Sequence, residues 1–341
     1  MAGLRFLVLN HSSLDLLESH RGWLASQGVE LLGEPSFKQL EPERLEELLA
    51  GVQAVVGPPA AKVRLLARHM AANPTLQVIS LASSGYETED MAAATDHGIV
   101  ISYAPIQSLS EVVADHTWGM MVAVARQIPH HDRLLQAGQA QRGLGAALWG
   151  KTLGIVGLGH IGRCVARRAI GFEMKVLAAE IQPDHDYNRR HSIESVSLAE
   201  LLRRSDFVSL HVRLTPENYH LIGARELSLM KSTAYLINTA RQQVVDEAAL
   251  TEAILAGAIA GAAIDDPPEV PDSPLLGLPN VVFTPHIGNR VLESMDAVCR
   301  HAYQSAIDVI RGWARPQFVL NPQVYETGRL RAPYPLESGN Q

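Results

Sequence analysis

Short apolar runs alternate with longer stretches of helical periodicity along most of this chain, and the alternation predicts a fold class. In the first hundred residues the runs at 5–9, 29–32, 54–56, 77–81 and 99–102 predict strands, and the segments 14–27, 43–50, 63–72 and 90–97 between them predict helices. Such βαβ alternation implies right-handed crossovers and a parallel sheet. Residues 110–136 carry a long helical pattern interrupted at Pro129, with Val113, Trp118, Met121, Val122, Ala125 and Ile128 apolar on more than one face. That pattern fits a connector helix buried on several sides. A Gly/Ala/Gln-rich linker at 137–147 follows, and alternation then resumes. Six strands are predicted at 153–156, 175–179, 206–211, 234–238, 260–264 and 281–284, with helices at 161–170, 198–203, 224–230 and 246–256. A last helix at 292–313 leads out, 316–321 returns toward the first domain, and 326–341 has no periodicity, so it reads as mobile or draped over a partner.

The resulting expectation is α/β: two doubly wound parallel-sheet domains, a Rossmann dinucleotide domain at 111–313 inserted in a flavodoxin-like domain at 1–110 plus 314–341. A length of 341 residues suits two cores. Composition changes little: 47% hydrophobic and 19% charged residues are ordinary for a globular protein. A net charge of −7 without a basic block argues against nucleic acid or an anionic membrane as partner. The N-terminal apolar run is too short for a signal peptide, so the chain reads as cytoplasmic. Cys164 and Cys299 fall in predicted helices without metal-ligand neighbours and read as buried apolar residues, with no metal site.

Chemistry enters at Gly157, Gly159 and Gly162, a G-x-G-x-x-G between a predicted strand and helix. The first glycine permits a sharp turn, the second lets backbone approach a pyrophosphate, and the third lets helix and strand pack closely. The N–H groups at His160 and Ile161 open that helix and would face the phosphates. Glu180, closing the next strand, stands where a carboxylate accepts from a ribose 2′-hydroxyl and repels a 2′-phosphate, which favours NAD over NADP. Three polar residues then follow predicted strand ends, where open α/β sheets bind ligands: Arg241, Glu269 and His286. Alcohol oxidation by hydride transfer needs a proton acceptor tuned near neutrality, a carboxylate to orient it, and a cation to grip a substrate carboxylate.

Leu236-Ile237-Asn238-Thr239-Ala240-Arg241, Gly261-Ala262-Ala263-Ile264-Asp265 and Pro279-Asn280-Val281-Val282-Phe283-Thr284-Pro285-His286-Ile287-Gly288 resemble successive signatures of the D-isomer-specific 2-hydroxyacid dehydrogenases, over residues 75–322. The resemblance implies Arg241 as carboxylate binder, His286 as acid/base with Glu269 as its partner, and Asp265 holding the nicotinamide carboxamide. It implies cofactor contacts from Thr239, Ala240 and Gly288, and backbone amides of Ser84 and Gly85 offered to the substrate carboxylate. It further implies a homodimer that interconverts a small 2-hydroxy acid and its 2-keto acid. Two other activities share the pattern: a formate- or phosphite-type dehydrogenase, and an NAD-sensing, corepressor-like interaction protein.

Departures from the family pattern mark where this chain differs. Gln242 follows Arg241 in place of Gly, Asp265-Asp266-Pro267-Pro268 replaces an aspartate-valine-phenylalanine run, and Tyr103 stands where Asn is common. The shortened loop brings Glu269 one residue closer to Asp265. Arg213 replaces a usual Pro and reads equally as a phosphate contact or a solvated loop residue. Loops at 57–62, 83–86 and 103–109 are expected to set substrate choice.

Overall fold

A computed structural model of the protein describes residues 3–8, 14–33, 42–57, 65–86 and 89–333, and these divide into two compact units, Met1–Leu109 with Leu292–Gln341, and Ser110–Val291. The expected loop at 58–62 and the tail at 334–341 lie outside the described residues.

The first unit runs β1 (Leu4–Val8), α1 (Leu14–Ser26), β2 (Val29–Gly33), α2 (Pro42–Leu49), β3 (Ala54–Val56), α3 (Ala67–Ala72), β4 (Val78–Ser80), α4 (Met91–Asp96) and β5 (Val100–Ser102). Its five strands form a parallel sheet in the order β2-β1-β3-β4-β5. Leu7, Val55, Ile79 and Ile101 from the strands bury against Leu45, Leu49 and Met70 from the helices. The connector helix α5 (Gln107–Ala125) then passes into the second unit, followed by α6 (Ile128–Gln136). The interruption expected at Pro129 falls two residues earlier, at Gln127, whose φ of 50° is left-handed. Proline has no N–H to donate, so it sits without cost in the first turn of α6 rather than breaking a helix interior.

The second unit continues β6 (Thr152–Val156), α7 (His160–Ala169), β7 (Lys175–Ala179), α8 (His185–Arg190), β8 (Ile193–Ser195), α9 (Leu198–Arg204), β9 (Phe207–Leu210), α10 (Ala224–Leu229), β10 (Tyr235–Asn238), α11 (Glu247–Leu255), β11 (Gly261–Ile264) and β12 (Val281–Phe283). Its seven strands are parallel, in the order β12-β11-β10-β9-β6-β7-β8. Adjacent residues of one strand serve opposite cores. Phe207 and Ile237 pack with Trp118 and Val165 on one face, while Val208 and Leu236 pack with Leu201, Leu227 and Leu250 on the other. Burial on both faces is why these strands read as continuous apolar runs rather than alternating ones. β8 and α8 escape the pattern because Ile-Glu-Ser at the sheet edge buries only its isoleucine, and α8 is a polar single turn and a half.

Two expectations for the C-terminal region are corrected. The helix α12 (Leu292–Arg311), expected within the dinucleotide domain, belongs to the first unit, lying on β3, β4 and β5 with Ser80 Oγ donating to the Ala302 carbonyl at 2.8 Å. Its apolar stripe has the same period whichever sheet it covers, so pattern alone does not choose. The segment 322–333 is not free but fastened to the same unit. Asn321, wholly buried, accepts from Ile101 N–H at 2.8 Å and donates to Ile99 O at 2.9 Å. The Arg331 guanidinium donates to the carbonyls of Met70, Asn73 and Leu76 around the end of α3. Carbonyls left over at a helix end attract a cation, a tertiary contact that no local periodicity records. Among the described residues no helix is long and apolar enough to cross a membrane.

Candidate active site

β6 ends at Val156 and turns at Gly157, whose φ of 91° suits glycine alone. A Cβ at Gly157 would lie 2.8 Å from the His211 carbonyl oxygen, and one at Gly162 would lie 2.2 Å from the Gly157 carbonyl oxygen. A Cβ on Gly159 would meet nothing within 4 Å. Two glycines thus serve the fold, and the middle one leaves open space at the N-terminus of α7, where His160 and Ile161 open the helix. The register pairs Val156 with Ala179, so Glu180 begins level with the turn, and its Oε2 is buried without a hydrogen-bond partner among the described residues. Free N–H groups, space for a pyrophosphate and an unsatisfied carboxylate oxygen for a ribose hydroxyl together fit NAD. His211, on the neighbouring strand end, is pushed down to about 3 by burial and stays neutral beside the site, with Ser209 Oγ 2.8 Å from its Nε2.

The second cluster arises because β10, β11 and β12 run level: Asn238 pairs with Ile264, and Ile264 with Phe283. Residues just past the three ends therefore meet. Asn238 shapes the first turn, accepting from Ala240 N–H at 3.0 Å and donating to the Arg241 carbonyl at 2.8 Å. This turn presents Arg241 half-buried, with Nη1 donating to the Ala240 carbonyl. Thr239 Oγ1 meets Thr117 Oγ1 of α5 at 3.0 Å.

Past β12, His286 sits at φ 56°, the left-handed region where a side chain other than Gly, Asn or Asp is strained by on the order of 1 kcal/mol. Asp265 holds it there. Its buried carboxylate accepts from Thr284 Oγ1 at 2.6 Å, Ile287 N–H at 2.9 Å and Gly288 N–H at 2.8 Å, with His116 Nε2 at 3.4 Å. A Cβ on Gly288 would fall 2.8 Å from Asp265 Oδ2, so the close approach needs glycine. Burial alone would raise the Asp265 carboxyl, but these donors outweigh it and hold the group below the usual carboxylate range. A carboxyl lowered by folding contributes stability above its unfolded value, and loses that contribution as pH falls through the folded one. Asp265→Asn is therefore expected to cost about 2 kcal/mol at neutral pH, by loss of charge-assisted bonds. In urea melts, the gap to wild type should narrow as the buffer is taken below the ordinary carboxylate range and through the lowered folded value. A gap independent of pH would contradict this account of Asp265.

Sequence reasoning and geometry part at the partner of His286. Glu269 is exposed, and its backbone N–H, not its side chain, is engaged, donating to Glu247. Asp266 stands in the expected place: its Oδ1 lies 2.9 Å from His286 Nδ1, and its Oδ2 accepts from Gln242 N–H at 2.9 Å. One residue further along a strand end reverses which side the side chain takes, so Asp265 tethers the His286 turn from beneath and Asp266 reaches the imidazole. The Asp265-Asp266 doublet, itself a departure from the family pattern, was the available signal. His116 and Thr117, which frame Asp265 and Thr239, carried no motif that singled them out, and Thr284, though inside the signature that ends at Gly288, was given no role. In the first unit, Ser84 and Gly85 lie past the end of β4 in a half-buried turn closed by Ser83 Oγ on the Gly85 carbonyl at 2.8 Å.

Comparison with known proteins places the chain in a family. Residues 118–288 match the model of the D-isomer specific 2-hydroxyacid dehydrogenase NAD binding domain. The chain is 38% identical over 294 residues to a glyoxylate reductase of Korarchaeum cryptofilum, covering 84% of this chain and 86% of that one. Among solved structures, the TT0316 protein from Thermus thermophilus superposes with a TM-score of 0.81 at 32% identity, covering 93% of this chain and all of that one. A glyoxylate reductase from Paecilomyes thermophila gives 0.77 at 28% identity, over 95% of this chain and 100% of that chain. By identity and coverage, the chain belongs to the D-isomer-specific 2-hydroxyacid dehydrogenases, NAD-dependent oxidoreductases, and carries their NAD-binding domain.

Proposed function

We propose that this oxidoreductase reduces a small 2-keto acid of the glyoxylate type to its 2-hydroxy acid, with His286 as acid/base, Asp266 as its carboxylate partner and Arg241 as carboxylate binder. The observation that carries the reading is the 2.9 Å contact of His286 Nδ1 with Asp266, beside Arg241 on the next strand end but one. An ionised Asp266 accepts from Nδ1–H, which fixes the tautomer and leaves Nε2 for the substrate. NADH, with its pyrophosphate held at the glycine turn, would supply the hydride. His286 gives its proton from Nε2 to the carbonyl oxygen as that oxygen becomes negative, while Asp266 holds the opposite ring nitrogen. Arg241, with its planar donor fork, grips the carboxylate and sets the carbonyl in position. Glyoxylate is the first substrate to test, since several relatives bear glyoxylate reductase as their name.

The orphaned Glu180 Oε2 supports NAD over NADP, because a 2′-phosphate there would meet a carboxylate. A homodimer in the cytoplasm completes the reading. The second unit exposes Trp149 and Ile170, brought near one another by Gly150 N–H on the Phe172 carbonyl, and also exposes Leu144 (98%) and Leu135 of α6. A purified preparation should oxidise NADH with glyoxylate or hydroxypyruvate at least about tenfold more efficiently than NADPH, a ratio of about 1.4 kcal/mol, and should sediment as a dimer. Equal use of NADPH would contradict the role of Glu180, and a monomer at micromolar concentration would contradict the dimer.

A further inference from the structure

Beyond the residues that touch substrate, the turn after β10 holds a buried polar bracket. Gln242 is 3% exposed and makes two bonds in opposite directions: its backbone N–H donates to Asp266 Oδ2 at 2.9 Å, and its side-chain Nε2 donates to Glu247 Oε2 at 2.8 Å. Glu247, the first residue of α11 and 6% exposed, also accepts from Ser273 Oγ at 2.6 Å and from Glu269 N–H at 2.6 Å. Ser273, likewise buried, accepts in turn from Leu275 N–H at 3.4 Å. One buried carboxylate thus fastens the loop after β11 at two points and the turn after β10 at a third. A buried carboxylate is tolerated only when its oxygens are satisfied, and here every donor to it comes from the two segments that flank Asp266.

We infer that Gln242 and Glu247 are positioning residues for the His286–Asp266 pair, holding Asp266 so that its Oδ1 meets Nδ1 of the imidazole. The inference rests on the proposed role of His286. Asp266 is half-buried and carries two carboxylate oxygens, of which one is claimed by Gln242 N–H and the other by His286. If the Gln242 side chain is released from Glu247, its backbone is no longer held, the bond to Asp266 Oδ2 loosens, the carboxylate gains rotational freedom, and the imidazole loses the acceptor that selects its Nδ1–H tautomer. Glu247 acts at a distance. Its carboxylate accepts from Gln242, Glu269 and Ser273 and works by fixing the backbone on both sides of Asp266.

The test uses Gln242→Met, which keeps the side chain's length and the backbone N–H but removes the donor to Glu247, and Glu247→Gln, which keeps shape and acceptor capacity for one of its oxygens. The full-length proteins are labelled with ¹⁵N-histidine, and the His286 signals are identified by their loss in His286→Asn. In the wild type the ring nitrogens of His286 should report the Nδ1–H tautomer, and in both variants a mixture with Nε2–H. In the same preparations kcat for keto-acid reduction should fall about tenfold with KM changed less than about threefold, within the range of general acid–base effects. A bracket that merely stabilises the fold would lower the melting temperature and leave the tautomer and kcat unchanged, and that result overturns the inference. The tautomer is read without turnover, so a wild type that reduced no keto acid would refute the proposed role of His286 while the spectra still decided on the bracket. If Gln242→Met fails to fold, Glu247→Gln carries the same readouts.

Discussion

Replacing His286 by Asn should lower keto-acid reduction by at least about 100-fold, the usual range for loss of a general acid–base group, while NADH binding stays within about twofold. Asn is the informative substitution because His286 sits at φ 56°, and Asn, with Asp, is the residue besides Gly that enters this region without much strain. The turn clamped by Asp265 through Ile287 and Gly288 then survives, and the loss reports chemistry rather than a collapsed loop. An amide neither gives a proton to a developing alkoxide nor takes one from a hydroxyl near neutral pH. Stopped-flow NADH fluorescence measures binding, and steady-state absorbance measures turnover. A variant that kept more than about a tenth of the wild-type rate would remove His286 from the acid/base role.

The two glycines at the start of α7 should fail in different ways. Gly162→Ala sets a methyl 2.2 Å from the Gly157 carbonyl oxygen, a backbone atom that yields only if strand and helix separate. Such overpacking should cost about 3 kcal/mol or more and abolish NADH binding together with stability. Gly159→Ala meets no protein atom within 4 Å, and its φ of −75° and ψ of −157° are open to any residue. Its fold and melting temperature should match the wild type, yet NADH should bind at least about tenfold more weakly, a loss of about 1.4 kcal/mol, because the methyl fills the space a pyrophosphate needs. Unchanged NADH affinity in Gly159→Ala would mean that the phosphates lie elsewhere. Thermal melts alongside fluorescence titrations separate the two outcomes.

These contrasts indicate which parts of the molecule were legible from the chain. Strands buried on both faces, such as β6, β9 and β10, declared themselves as apolar runs, and the glycine spacing placed the cofactor turn beside Glu180 without any structure. The positions of Arg241 and His286 past the ends of β10 and β12 were legible because motif and strand end coincide. The carboxylate partner was not, since choosing between Asp266 and Glu269 depends on which way a side chain leaves a shortened loop, and the anchor of that loop, Glu247, lies about twenty residues earlier in sequence. The packing of α12 and of 322–333 was hidden for a related reason. An amphipathic helix does not name its sheet, and Arg331 finds its carbonyls more than 250 residues upstream.

The central claim is that this chain turns over a 2-keto acid and does not merely sense the cofactor. Incubating the full-length protein with glyoxylate analogues bearing a prochiral carbonyl, such as hydroxypyruvate, and NADH deuterated at the nicotinamide carbon that donates hydride tests it most directly, with the product analysed by chiral chromatography and mass spectrometry. The account predicts a D-2-hydroxy acid carrying one deuterium on its hydroxyl-bearing carbon, formed by the wild type and at least about 100-fold more slowly by His286→Asn. Tight NADH binding with no deuterated hydroxy acid from any keto acid offered would contradict it.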